Sequence, residues 1–379
     1  MIEPPPLALY VHLPWCIRKC PYCDFNSHER TGALPEQAYV RALLADLTHD
    51  LPLVAGRKLV SMFIGGGTPS LFSGSAIQTL LDGVRTHFEV LSEAEITLEA
   101  NPGAIDVESF AAYRAAGVNR LSIGVQSFRA AQLRSLGRVH GADEALRALA
   151  LARAAGFSNV NLDLMHGLPG DAPGDAVREL ETALALGPEH LSWYQLTLEP
   201  GTAFARAPPR LPAHDQIVDD FEAGIALLAR HGYGRYEISA FAQTDRESRH
   251  NLNYWEFGDY LGLGAGAHGK ITTAAGLVRT TKRIHPTAYM KEAGTSAAAT
   301  IEPRAESDLV IEFMLNALRL TRGFSRRLFC ARTGLPVAAL TPGASQAIAR
   351  GWLTDDGERL APTALGFRFL NDLQLLFLD

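Results

Sequence analysis

LALYVHLPWCIRKCPYC, residues 7–23, sets the reading of the whole chain. Its first half is a short apolar run of the kind that forms a strand buried on both faces. Its second half puts Cys16, Cys20 and Cys23 within eight residues, on the loop that leaves that strand. Three of the four cysteines sit there, so they do not encode a disulfide framework; clustered thiols in a reducing compartment hold metal or perform redox chemistry. In a four-iron cluster each iron normally takes one thiolate, so three thiolates leave one iron open to a small molecule. A Cys3His zinc site completed by His12 or His28 is the alternative at this point.

Downstream, runs at 58–64, 95–100, 120–125, 159–164 and 190–196 read as further strands, separated by amphipathic helical stretches. Val40, Leu43, Leu44, Leu47 and Leu51 make one helical stripe, and Ile77, Leu80, Leu81, Val84 and Phe88 make another. Such stripes pack on a parallel sheet. Six βα units are too few for an eight-stranded barrel, so the expected fold is α/β: a partial (β/α)6 barrel or an open doubly wound sheet.

Ligands bind at the carboxyl edge of such a sheet. The expected strand ends carry the cysteine loop, Gly65-Gly66-Gly67-Thr68-Pro69, Glu99, Gln126, Asp163 and Gln195. Glycines there allow a backbone to approach a ligand closely. Taken singly, Glu99, Gln126, Arg138 and Asp163 read as helix caps or surface ion pairs. Together at one edge they describe a nucleoside pocket, with carboxylates for ribose hydroxyls and donors for a carboxylate. Tyr10 and Tyr22 offer ring surface nearby, and His166 is a further candidate for the pocket wall.

Beyond residue 200, RAPPRLP (206–212) reads as a surface crossover, followed by a helix near 214–231 and a strand near 234–239. Four segments are expected: a barrel over 1–240, an extension over 241–291 with HNLNYW and GAHGK, a linker over 292–305, and a helical domain over 306–379. The last has the order of a winged helix, with a hairpin at Asp355–Gly357; Cys330 falls in one of its helices as a buried thiol. Residues 305–379 hold eight Arg, no Lys and eight acidic residues, without the charge excess that favours DNA. The whole chain of 379 residues carries a net charge of −6, which disfavours a general nucleic-acid surface. Its 47% apolar content excludes a disordered polymer. No run reaches the ~18 apolar residues of a membrane span, and MIEPPPLALYVHLPWC lacks a basic n-region, so a cytoplasmic protein is expected.

The segments YVHLPWCIRKCPYCDFNSH (10–28), FIGGGTPSL (63–71), EANPG (99–103), RLSIGVQSF (120–128), LGRVH (136–140), NLDLMHGLPG (161–170), HLSWYQLTLEP (190–200), HNLNYW (250–255) and GAHGK (266–270) together resemble the oxygen-independent coproporphyrinogen III oxidase family of radical S-adenosylmethionine proteins. Within it they resemble the heme-chaperone branch. The resemblance implies a radical-SAM partial barrel with a C-terminal helical domain, and a 4Fe–4S cluster on Cys16, Cys20 and Cys23. It places S-adenosylmethionine against Tyr10, Tyr22, Gly66, Gly67, Thr68, Glu99, Gln126, Arg138 and Asp163. The oxidases resemble CxxxCxxCxC at the cluster loop, whereas this chain has Phe25 two residues beyond Cys23. HNLNYW resembles the HNxxYW motif of the chaperones, which makes His250, Tyr254 and Trp255 the expected heme residues. Heme and apo-hemoprotein acceptors are then the implied partners, with a homodimer and at most peripheral membrane contact. The competing functions are the oxidase itself and a radical enzyme acting on another tetrapyrrole.

Overall fold

The computed structural model describes residues 4–54 and 56–378; residues 1–3, 55 and 379 lie outside it. The six expected strands form as β1 (Leu7–Leu13), β2 (Leu59–Gly66), β3 (Val90–Ala100), β4 (Arg120–Gln126), β5 (Val160–His166) and β6 (His190–Gln195). They pair in parallel in sequence order. The crossovers are α1 (Glu36–Val54), α2 (Gly74–His87), α3 (Val107–Ala116), α4 (Ala142–Ala154) and α5 (Asp175–Leu186). Local chemistry starts these helices: Ser73 caps α2 by accepting from the Ala76 amide, and Asp106 caps α3 through Ser109. Ile77, Leu80, Leu81 and Val84 of α2 are all buried, as their spacing requires.

Register fixes which side chains share a face. Tyr10 lies opposite Phe63 and His12 opposite Gly65; Phe63 pairs with Thr97, Glu99 with Ser122, Ser122 with Asn161, and Asp163 with Ser192. With a side-chain period of two, these residues line the interior. Leu9, Ile64, Leu98, Ile123, Leu162 and Trp193 point the other way and are fully buried in the main apolar core with the helices. The interior of the barrel is therefore polar and its outer face is the core.

Further strands extend the sheet at both ends. Helix α6 (His214–Arg230) leads to β7 (Gly234–Arg235) and β8 (Ala240–Ala242), which add antiparallel beyond β6; of the expected strand at 234–239 only the first two residues form, and the next strand starts at Ala240. After α7 (Arg249–Trp255), strand β9 (Asp259–Leu263) pairs in parallel with β1, a seventh parallel strand that the sequence reading did not find. β10 (His268–Thr273), β11 (Gly276–Lys282) and β12 (Ala299–Pro303) follow antiparallel. The order is β12-β11-β10-β9-β1-β2-β3-β4-β5-β6-β8-β7, a sheet that does not close. The expected linker over 292–305 is corrected by β12: β-branched Thr300 and Ile301 complete the ladder of β11 at an exposed edge, where polar composition disguises a strand.

The C-terminal part has helices α8 (Glu306–Ala317), α9 (Arg326–Thr333) and α10 (Thr341–Ala349), then a hairpin of Leu353–Asp355 with Arg359–Pro362. Its core of Leu309, Phe313, Met314, Phe329, Leu360 and Phe377 also takes in Phe257 and Leu277 from the preceding extension. Cys330 lies in α9 and is partly buried against that core. The Arg235 guanidinium sits 5.2 Å from the Phe221 ring and 5.1 Å from that of Phe367, joining barrel and C-terminal part. Among the described residues no helix is long and apolar enough to cross a membrane.

Candidate functional site

A cavity of about 400 Å3 opens at the carboxyl ends of β1 to β6. That volume is in the range of small-molecule sites. Cys16, Cys20, Tyr22 and Cys23 reach it from the loop after β1, Gly66, Gly67 and Thr68 from the end of β2, and Glu99, Gln126, Arg138 and Asp163 from the next three βα units. The strand-edge residues thus share one wall. Tyr10 does not join them: its hydroxyl donates to His12 Nδ1 at 2.8 Å and its ring stacks on Phe63, deeper along β1.

The cysteine loop is anchored at several points. Trp15–Cys16 pairs with His28–Glu29, the Lys19 amide donates to Glu29 Oε1 at 2.9 Å, and the Cys23 amide closes a turn on the Cys20 carbonyl. The Asn26 side chain donates to the carbonyls of Ala265 and Ile284, both at 2.8 Å, which staples the loop to the extension. Gly66 has φ +119°, and a Cβ there would stand 2.8 Å from the His12 ring; one on Gly67 would stand 2.6 Å from the Trp15 carbonyl oxygen. The glycines are needed first for the chain's own crossing of β1 and β2. The Gly67 and Thr68 amides use that closeness, donating to Leu13 and Trp15 carbonyls at 2.9 and 2.8 Å.

The donor set fits an iron–sulfur cluster with a vacant coordination position. Cys16, Cys20 and Cys23 are the cysteines of the cavity, and Cys330 is in the separate C-terminal core. Arg138 Nη1 lies 3.8 Å from Cys20 Sγ. Burial pushes the Cys16 and Cys23 thiols up, so ligation rather than the protein field has to deprotonate them. The zinc alternative is not assembled. His12 is engaged at Nδ1 by Tyr10 and at Nε2 by the Asn26 carbonyl, and His28 Nε2 is engaged by Asn26 Oδ1. Among the described residues no three His, Cys, Asp or Glu side chains gather as a single-ion site.

Beside the thiols the wall turns acidic. Burial, reinforced by the Asp163 charge, raises the Glu99 carboxyl to about 8, while the Gly66 amide at 3.0 Å pulls it the other way. Burial raises Asp163 as well. Gln126 adopts φ +68°, an uncommon conformation for a residue with a side chain, and Tyr194 donates to its Oε1 at 2.5 Å. Tyr194 and Met165 line the cavity too and escaped the sequence reading. Strand parity was the available signal, because Tyr194 follows buried, outward-facing Trp193. The same parity excludes His166, which stacks on Phe221 at 5.3 Å outside the barrel.

The model of the radical SAM superfamily matches residues 10–183, and that of the HemN C-terminal domain matches 306–369. The chain is 49% identical over 379 residues, 100% of both chains, to heme chaperone HemW of Escherichia coli. It belongs to the HemW family of radical SAM proteins. The HemW of Haemophilus influenzae is 45% identical across 99% of this chain and 98% of that one. The solved coproporphyrinogen III oxidase HemN of Escherichia coli superposes with a TM-score of 0.81 at 24% identity, covering 99% of this chain and 90% of that one, which shows the shared fold.

The resemblance put this family's heme at His250, Tyr254 and Trp255, and these residues are absent from the cavity wall. Helix α7 lies under the barrel floor. Glu95 holds its start, accepting from Ser248 Oγ at 3.1 Å and from the Arg249 and His250 amides at 3.2 Å. The His250 ring is 1% exposed, stacked on Phe63 at 5.0 Å and edge-on to Tyr254 at 4.7 Å. Its Nδ1 is 3.2 Å from Ser61 Oγ, and its buried Nε2 has no partner. Burial, with the Arg120 charge, lowers its pKa to about 3, so it is a neutral imidazole. Trp255 lies under the Arg319 guanidinium at 4.2 Å. In this conformation none of the three forms an open heme seat.

Proposed function

We propose that the protein is a heme chaperone: it binds heme and passes it to apo-hemoproteins, in the cytoplasm and with at most peripheral membrane contact. The observation that carries this is the 49% identity, end to end, with a protein named heme chaperone. In this reading Cys16, Cys20 and Cys23 hold a 4Fe–4S cluster, and S-adenosylmethionine lies beside it. Gly66, Gly67 and Thr68 meet its amino group, Arg138 its carboxylate, Glu99, Gln126 and Asp163 the nucleoside, and Tyr22 a ring face. Bound there, the cluster supplies one electron to a sulfonium carbon–sulfur bond. Phe25 in place of a further thiol supports a carrier over the oxidase. Residues 1–240 then serve as the cofactor barrel, 241–291 as the heme-motif extension, and 306–379 as a packed accessory domain.

Glu99 gives the cofactor part a pH signature. Before a ligand binds, its carboxyl is largely protonated at neutral pH, since burial raises its pKa to about 8. A ligand that is cationic or donates hydrogen bonds favours the carboxylate, so binding expels a proton. Affinity for S-adenosylmethionine should therefore rise from pH 6.5 towards pH 8 and level off above it. Calorimetry in two buffers of different ionisation enthalpy should show proton release that Glu99→Gln abolishes. A flat profile in the unsubstituted protein would contradict this assignment.

Heme ligation by His250 requires α7 to leave its socket. Titration of heme into cluster-loaded protein should give a saturable Soret shift, weakened by about tenfold or more in His250→Ala. Amide exchange across 249–255 should rise as heme binds. Unchanged affinity in His250→Ala removes the residue from the heme site. No heme binding, together with anaerobic conversion of coproporphyrinogen III, would replace the carrier by the oxidase.

A further inference from the structure

Asp163 is held from behind by an ordered series of side chains, of which Ser122 also reaches the cavity wall and Asn161, His190 and Tyr236 are buried away from it. Its Oδ1 is 2.8 Å from Asn161 Nδ2 and its Oδ2 accepts from Ser122 Oγ at 3.0 Å. The other proton of Asn161 Nδ2 goes to Ser122 Oγ at 2.8 Å. Asn161 Oδ1 meets Ser192 Oγ at 3.1 Å and His190 Nδ1 at 2.6 Å; His190 Nε2 meets the Tyr236 hydroxyl at 2.9 Å.

Only one assignment of protons satisfies every member. A carboxylate accepts, so Asn161 must turn its NH2 group towards Asp163 and its oxygen towards His190. His190 must then carry its proton on Nδ1 and leave Nε2 bare, and Tyr236 must donate to it. The Tyr236 oxygen in turn accepts from the Ser248 amide at 3.3 Å, at the start of the helix that carries His250. Burial and the nearby Arg120 charge hold His190 well below its usual pKa, which keeps Nε2 an acceptor at neutral pH. Tyr236 lies on the seam with the C-terminal part: its carbonyl accepts from Thr321 at 3.0 Å, and neighbouring Glu237 pairs with Arg319 at 3.0 Å.

We propose that Tyr236, His190 and Asn161 are positioning residues for nucleoside recognition, a one-way hydrogen-bond relay that aims Asp163 into the cavity and links it to the interdomain seam. The relay rests on the reading of Asp163 as a nucleoside ligand, and its proton order does not. Two nuclear magnetic resonance measurements on cluster-loaded protein with 15N-labelled histidine separate them. The His190 ring should appear as the neutral Nδ1–H tautomer, and both its nitrogens should shift when S-adenosylhomocysteine is added. Tyr236→Phe should keep the cluster yet bind that probe about three- to tenfold more weakly, the cost of one buried hydrogen bond partly transmitted. An Nε2–H tautomer overturns the relay whether or not the probe binds. So does a probe that binds without moving His190, or one bound equally by Tyr236→Phe. Absence of binding to the unsubstituted protein overturns the cavity reading, and the positioning role with it.

Discussion

Alanine at Cys20 is expected to leave the purified protein with essentially no iron–sulfur cluster. The cavity offers three thiols and no reserve, because Cys330 belongs to the C-terminal core and the nearby His12 and His28 are engaged elsewhere. Two thiolates are a poor hold on a cube whose irons each expect one. Loss of Cys20 also strands the Arg138 guanidinium, whose Nη1 faces that sulfur at 3.8 Å and whose Nη2 donates to the Gly124 carbonyl at 2.6 Å. Anaerobic reconstitution followed by iron and acid-labile sulfide assay should fall from about four of each per chain to near none. Far-ultraviolet circular dichroism should be unchanged, because Cys20 sits on a partly exposed loop. Retention of the cluster, or stoichiometric zinc in the unsubstituted protein, would remove the metal assignment.

The second large effect lies far from that mouth. Asp259 is fully buried and accepts from Arg57 at 2.7 Å, Lys270 at 2.9 Å, and Thr272 through its amide at 2.8 Å and its hydroxyl at 3.0 Å. Lys270 is 1% exposed and lies 4.1 Å over the Phe257 ring; burial already lowers its pKa to about 8. Asp259→Ala removes the only acidic partner, among the described residues, of a buried ammonium, and breaking such a pair costs about 3–5 kcal/mol. Urea unfolding should register that loss. The double variant Asp259→Leu/Lys270→Met should recover part of it, because the Lys270 charge then goes as well while Arg57 and Thr272 still lose their acceptor. Equal stability of the single variant and the parent would mean that water reaches Lys270.

The six leading strands were legible because alternating apolar runs and capped amphipathic helices leave a periodic trace. Their carboxyl ends, and so most of the cavity wall, followed from topology alone. Strand β9 left no such trace. Its sequence DYLGL carries Gly262 one residue before its end, where a Cβ would come within 2.1 Å of the His268 carbonyl oxygen. A glycine demanded by that crossing reads as a turn when the neighbouring strand is unseen. β12 was hidden for a different reason, since an edge strand has no apolar face to announce it. His250 shows the limit most clearly. Motif resemblance identified the residue, but the socket formed by Ser61, Phe63 and Glu95 depends on contacts across more than 150 positions of chain. Tyr10 fails similarly: its parity aims it inward, but only the position of Phe63 and His12 shows how deep it stops.

The pairing of β9 with β1 bears on how this architecture can be taken apart. The leading strand of the barrel draws one flank from a segment some 250 residues later, so translation finishes most of the polypeptide before that flank is covered. Until then β1 presents a bare hydrogen-bonding margin beside the cysteine loop, open to pairing with other chains. Assembly of the cofactor mouth is thereby tied to completion of the tail, and the six-unit barrel is not a transplantable module.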